Sequence, residues 1–141
     1  KYKHSVIALS EVEQDELCNF GVVKKYDNDD GSCEIVGFVE KPKTNPPSNL
    51  VAVGGYVLTP DMLNILHEKH AQSGEIRLAD TFSVALSRSN RIFGVKIEGN
   101  WLDTGNWKNL AKANAVLSLK DDKRGVMKKF FIELGESLQK E

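Results

Sequence analysis

Apolar residues recur along this chain with two periods, and the switches between them mark its elements. Residues 5–9, Ser-Val-Ile-Ala-Leu, form a short apolar run that reads as a buried strand, and the acidic stretch 11–16 reads as a loop or helical turn. Two β-rich runs, 21–26 and 33–39, flank Asp27-Asn28-Asp29-Asp30-Gly31-Ser32. That segment is dense in turn formers, so the pair predicts a β-hairpin. Pro46 and Pro47 cannot continue a sheet interior, which makes 44–49 a linker leaving the sheet. The run 52–58 returns as a strand with Gly54 and Gly55 at its centre, and glycine inside a strand marks a bulge or the close approach of another group.

Helical spacing takes over at Thr59-Pro60-Asp61, which joins a capping hydroxyl, a proline in the first turn and an acid near the positive helix end. Met62, Leu63, Ile65 and Leu66 supply the expected buried face. A second helix is predicted over 79–89 and a strand over 91–97. The glycine-bracketed loop 99–106 leads into a helix striped by Trp107, Leu110, Ala113 and Leu117. After Asp121-Asp122 a last helix repeats Val126, Phe130, Leu134 and Leu138 every fourth residue, with Met127 and Phe131 beside them. Its charges are mixed, so it reads as a packed tail or a dimer contact rather than a membrane anchor. Strands and helices alternate with a hairpin among them, and the fold class is α/β.

With 141 residues the chain is long enough for one domain and too short for two independent cores. Nineteen Lys+Arg against twenty Asp+Glu and 40% apolar residues exclude a disordered tail and a strongly basic nucleic-acid binder. No stretch approaches the ~20 apolar residues of a membrane span. Cys18 and Cys33 form no disulfide framework and read as two free thiols, which points to a reducing, cytoplasmic setting. The chain opens on Lys1 with neither Met nor leader and enters a strand almost at once, so it reads as part of a longer protein.

Three places hold polar or small residues that a fold alone does not demand. Glu40-Lys41-Pro42 ends an apolar strand, where open α/β sheets place ligand contacts. Glu40 can accept from hydroxyls and Lys41 can neutralise a phosphate; the alternative is a solvated strand end before a proline turn. In Trp101-Leu102-Asp103-Thr104-Gly105, Asp103 can ligate a hard cation such as Mg²⁺, cap the next helix, or form an Asx turn. Gly21 and Gly54 would let a ligand approach the backbone, or simply serve turn and bulge geometry. Other candidates fall away. His67 and His70 are spaced i, i+3 with no third metal ligand, and the acids of 27–32 lack the ligand spacing of an EF-hand. The glycines form no phosphate-cradling loop, and no nucleophile elbow is present.

Phe20-Gly21-Val22-Val23, Phe38-Val39-Glu40-Lys41-Pro42, the run from Ser48 through Gly54-Gly55-Tyr56, Gly74-Glu75-Ile76-Arg77-Leu78-Ala79-Asp80 and Leu102-Asp103-Thr104-Gly105 occur in that order. The series resembles the C-terminal half of sugar-phosphate nucleotidyltransferases, most of all the bacterial UTP–glucose-1-phosphate uridylyltransferases. The resemblance implies a Rossmann-like nucleotidyltransferase fold, a mixed sheet with a β-hairpin and C-terminal helices. Residues 1–120 would be the sugar-phosphate-binding half and 121–141 an amphipathic C-terminal helix. By similarity, Gly21 would offer backbone to the sugar, Glu40 would grip its hydroxyls, Lys41 would bind the sugar 1-phosphate, Gly54 would leave room beside the glucose, and Asp103 would help hold Mg²⁺.

The implied reaction converts UTP and glucose 1-phosphate to UDP-glucose and pyrophosphate in a homo-oligomeric enzyme without nucleic-acid or membrane partners. The family's Gly-Thr-Arg and Pro-Lys nucleotide elements are absent from this chain, as is a second metal-binding Asp, so the chain alone is expected to be inactive. Ala79 stands where the family usually has Thr. A thymidylyltransferase is the alternative within the class. A non-catalytic sugar-nucleotide-binding module is the alternative outside it, although such a module need not keep Glu40, Lys41 and Asp103 together.

Overall fold

The structure, a computed structural model, describes residues 3–73 and 77–139, with side chains excepted at 69–73. Gly74, Glu75 and Ile76 of the sequence series, and the His70 side chain, lie outside the described residues. The fold divides into two compact units, Lys1–Gly99 and Asn100–Glu141.

The first unit is built on strand β1 (Ser5–Glu11), in which Ser5, Ile7 and Leu9 point inward at the two-residue period of a strand. Beyond a short 3₁₀ turn at Leu17–Asn19 come β2 (Gly21–Asp27), β3 (Ser32–Glu40) and β4 (Leu50–Val57). Helices α1 (Pro60–Ser73) and α2 (Leu78–Ser87) follow, then β5 (Ile92–Lys96). β2 and β3 form the expected hairpin. Its turn is locked by Gly31 at φ 79° and by Asp30, whose Oδ1 accepts from the Ser32 amide at 3.1 Å and hydroxyl at 2.5 Å. Asp30 therefore serves the turn itself.

The sheet is mixed. β1 runs antiparallel to β4 and parallel to β5, and β3 runs antiparallel to β5. With β2 joined to β4 at Val22–Val51, the five strands close on themselves in the order β1-β4-β2-β3-β5. The resemblance implied the mixed sheet but not the closure, which depends on long-range pairing that local periodicity does not encode. Ile7, Leu9, Val23, Ile35 and Ile92 fill the interior, and Met62, Ile65, Phe82 and Ala85 bring α1 and α2 onto it. The buried Ser5 hydroxyl accepts from the Thr59 amide at 3.0 Å and pairs with the Thr59 hydroxyl at 3.2 Å, fixing the start of α1 against β1.

Burial corrects one expected apolar face and leaves two apolar stripes exposed. On α1, Met62 and Ile65 are buried but Leu63, turned a third of the way round the helix, is 45% exposed. In the second unit, α3 (Trp107–Lys120) buries Ala113 alone of its stripe and leaves Trp107, Leu110 and Leu117 exposed. Helix α4 (Val126–Leu138) buries none of its own, with Val126, Phe130, Leu134 and Leu138 exposed. A four-residue repeat establishes that a face is apolar, not that something covers it. Among the described residues no helix is long and apolar enough to cross a membrane.

Candidate functional site

The hairpin register sets Gly21 directly opposite Glu40 at its open end. One more bond, from the Lys41 amide to the Phe20 carbonyl at 3.0 Å, continues the pairing past the strand ends. Phe38 lies two residues before Glu40 on the same strand and therefore shares its face. The Phe38 ring and the Glu40 carboxylate both lie over Gly21. A Cβ there would stand 2.4 Å from Phe38 Cζ and 3.0 Å from Glu40 Oε2, so any side chain at this position would push the ring or the carboxylate aside.

Phe38 and Tyr56 each lean on the buried ring of Phe82, with centroids 5.2 Å and 5.6 Å apart. These rings floor a cleft of about 350 Å³ whose walls include Gly21, Glu40, Ala52, Arg77 and Asn19. Burial pushes the Tyr56 phenol pKa up and the neighbouring Glu40 charge pushes it further, while a backbone hydrogen bond at Gly54 opposes them. The phenol consequently keeps its proton and can donate it in a hydrogen bond. An aromatic floor with a carboxylate at its wall suits a ring that shows C–H groups on one side and hydroxyls at its edge.

Lys41 is exposed beside the cleft rather than among the residues lining it. Its φ of 47° lies in the left-handed region, a strained setting for lysine that the Phe20 bond and the buried Pro42 after it maintain. Gly54 sits where β4 spends the step from Ala52 to Tyr56 against only Leu9 to Ile7 on β1. The surplus bulges outward through Gly54 at φ 83°, and a Cβ there would meet nothing within 4 Å. The space beside Gly54 is open.

Asp103 belongs to the second unit. Its Oδ1 accepts from the Gly105 amide and its Oδ2 from Asn109 Nδ2, each at 3.0 Å, while Asn106 caps α3 by accepting from the Asn109 amide. The Asx-turn reading of Asp103 is the one observed, and the capping role falls to Asn106. Each carboxylate oxygen has lone-pair capacity beyond its one bond, so Asp103 fits a hard cation as a single oxygen donor. No cluster of three His, Cys, Asp or Glu is found among the described residues, and one carboxylate alone makes a weak site.

Sequence reading thus found Gly21 and Glu40 in the cleft, with Lys41 at its edge. It missed Phe38, Tyr56, Phe82 and Arg77. Phe38 was legible from the two-residue period it shares with Glu40; Phe82 was not, since only the packing of α2 on β3 brings it there.

Residues 1–119 match the model of the nucleotidyl transferase family. The chain belongs to that family. It is 38% identical over 113 residues to a candidate UTP–glucose-1-phosphate uridylyltransferase of Bacillus subtilis (strain 168), covering 79% of this chain and 41% of that protein. It is 33% identical over 132 residues to the UTP–glucose-1-phosphate uridylyltransferase of Staphylococcus epidermidis (strain ATCC 35984), covering 92% of this chain and 46% of the relative. Among solved structures, a UDP-glucose pyrophosphorylase complexed with UDP-glucose superimposes with a TM-score of 0.75 at 34% identity, covering 85% of this chain and 46% of the other. The chain spans under half the length of these relatives.

Proposed function

We propose that residues 1–120 are the sugar-phosphate-binding half of a UTP–glucose-1-phosphate uridylyltransferase and that 121–141 add its C-terminal helix. The nucleotide-binding half of this Rossmann-like fold would come from sequence outside this chain. The observation that carries the reading is the corner where Glu40 and Phe38 close over Gly21 above an aromatic floor. In a chain of this family, that corner has the chemistry of a hexose site.

Glu40 would accept from sugar hydroxyls while the Gly21 backbone, free of a side chain, comes close to the ring. Lys41 would neutralise the sugar 1-phosphate, and the open space at Gly54 would leave room beside the glucose. A phosphate oxygen of glucose 1-phosphate then attacks the α-phosphorus of UTP and pyrophosphate leaves. The protein's part is to align two anions and offset their repulsion rather than to form covalent bonds. Mg²⁺, with Asp103 as one oxygen ligand, would supply further neutralisation of phosphate charge when bound. The whole enzyme would be a cytoplasmic homo-oligomer, and this chain alone would not turn over.

The test is pyrophosphate release by the intact protein that contains this chain, given glucose 1-phosphate, Mg²⁺ and each nucleoside triphosphate in turn. Release with UTP well above the rest is expected. Preference for dTTP would replace the base and keep the site, while no release with any triphosphate would overturn the enzymatic reading in favour of a binding module.

A further inference from the structure

Among the described residues lining the cleft, Arg77 is the one cation and Glu40 the one anion. Arg77 stands at the N-terminal boundary of α2 with an extended backbone, φ −114° and ψ 120°. Its carbonyl accepts from the Thr81 amide at 3.3 Å and hydroxyl at 3.4 Å, and Thr81 is fully buried. The main chain is therefore anchored while the residue itself is exposed at the cleft.

A sugar hydroxyl both donates and accepts. Ionised Glu40 can only accept, so it satisfies the hydrogens of the hydroxyls and leaves their oxygens in need of donors. The protonated Tyr56 phenol supplies one donor. A guanidinium supplies up to five N–H groups in a fixed plane, which suits oxygens on neighbouring carbons. We propose that Arg77 is a sugar-recognition residue of this cleft, donating to hydroxyl oxygens of the hexose whose hydrogens go to Glu40. The inference rests on the sugar-phosphate reading above and adds a second, oppositely charged wall to it. A hexose lacking the hydroxyl that Arg77 reads would leave the guanidinium without that acceptor and would be discriminated against.

Calorimetric titration of the intact protein tests this, with Mg²⁺ and UMP present. The ligands are glucose 1-phosphate, its 2-, 3-, 4- and 6-deoxy analogues, and unphosphorylated glucose. Arg77→Ala and Arg77→Gln are compared with wild type, and matching thermal unfolding confirms that both fold. The expected result is about tenfold or greater weakening for glucose 1-phosphate, the size of a lost charge-assisted hydrogen bond. For at least one deoxy analogue the variants and wild type should bind within twofold of each other, because the partner hydroxyl is already gone. Unchanged affinity for glucose 1-phosphate in both variants overturns the proposal and leaves the uridylyltransferase reading intact. A loss of the same size for every deoxy analogue that disappears with unphosphorylated glucose overturns it differently, by making Arg77 a phosphate ligand. Failure of wild type to bind any sugar overturns the cleft reading itself.

Discussion

Replacing Gly21 by alanine adds one methyl group at a place already filled. The new carbon would stand 2.4 Å and 2.6 Å from two Phe38 ring carbons and 3.0 Å from Glu40 Oε2. Carbon atoms settle at about 3.5–4.0 Å, so the ring must retreat by more than about 1 Å. It cannot move freely, because it packs on Phe82 at 5.2 Å. Overpacking of this kind costs about 1–3 kcal/mol. Gly21 is not in the left-handed region, so alanine also narrows the unfolded ensemble and returns about 0.4–1 kcal/mol. The steric penalty wins, and Gly21→Ala should lower stability by about 1–2 kcal/mol, read from the urea midpoint of the intact protein. If the corner holds the sugar, the displaced carboxylate should also raise KM for glucose 1-phosphate tenfold or more while KM for UTP stays put. The double variant Gly21→Ala, Phe38→Ala should lose less stability than the sum of the two single losses, because the two changes share one clash. A Gly21→Ala protein as stable as wild type, with unchanged KM, would refute the packing of Phe38 and Glu40 over the glycine.

Lys41 separates stability from activity. Lys41→Gly should relieve the left-handed backbone and stabilise by about 1 kcal/mol while abolishing most pyrophosphate release, and Lys41→Ala should lose release without the gain. Near-normal release by either would remove Lys41 from the site. Asp122 accepts from the Val126 and Lys128 amides at 2.8 Å and 2.9 Å, so Asp122→Ala should destabilise the start of α4 by about 1 kcal/mol, seen as faster amide exchange there. The Arg91 guanidinium grips Glu34 through two 2.8 Å bonds and holds its carboxyl below the usual range. A depressed folded-state pKa means the stabilisation is present above the ordinary glutamate pKa and lost as pH falls through the lower one. The pair is largely exposed, so Glu34→Gln should differ from wild type by under about 1 kcal/mol at pH 7 and converge with it in acid or in high salt. A difference that grows on acidification would be the contrary result.

Strands, hairpin and helices were legible because each is encoded locally: alternation in β1, the Asp-Gly turn between β2 and β3, the proline start of α1. Closure of the sheet was not, since it joins β3 to β5 and β5 to β1 across long stretches of chain. The same division runs through the candidate site. Glu40 and Lys41 stood out as a charged strand end and Gly21 took a role only through the resemblance; the strand register then sets Gly21 opposite Glu40. Phe82 reaches the cleft through tertiary packing and looked like an ordinary helix residue in one dimension, while Arg77 stood in the series of family motifs with no role attached to it. The exposed stripes of α3 and α4 show the complementary limit: a local pattern marks a face as apolar without naming what covers it.

Three departures from ordinary backbone and packing rules lie at the open end of the β2–β3 hairpin and on the strand beside it. Lys41 takes a conformation better suited to glycine, Gly54 bulges into open space at positive φ, and a side chain at Gly21 would crowd Phe38 and Glu40. The other left-handed non-glycine residues, Asn45 and Ser89, lie in a linker and a turn, where chain reversal accounts for them. Lys41 likewise lies in a bend where the chain leaves β3, with its amide still paired with Phe20. A fold optimised only for stability would relax this position to glycine. Under the proposed function, a cation one residue past the carboxylate that lines the cleft would meet the phosphate of a sugar that Glu40 would hold, which is a reason to keep lysine there.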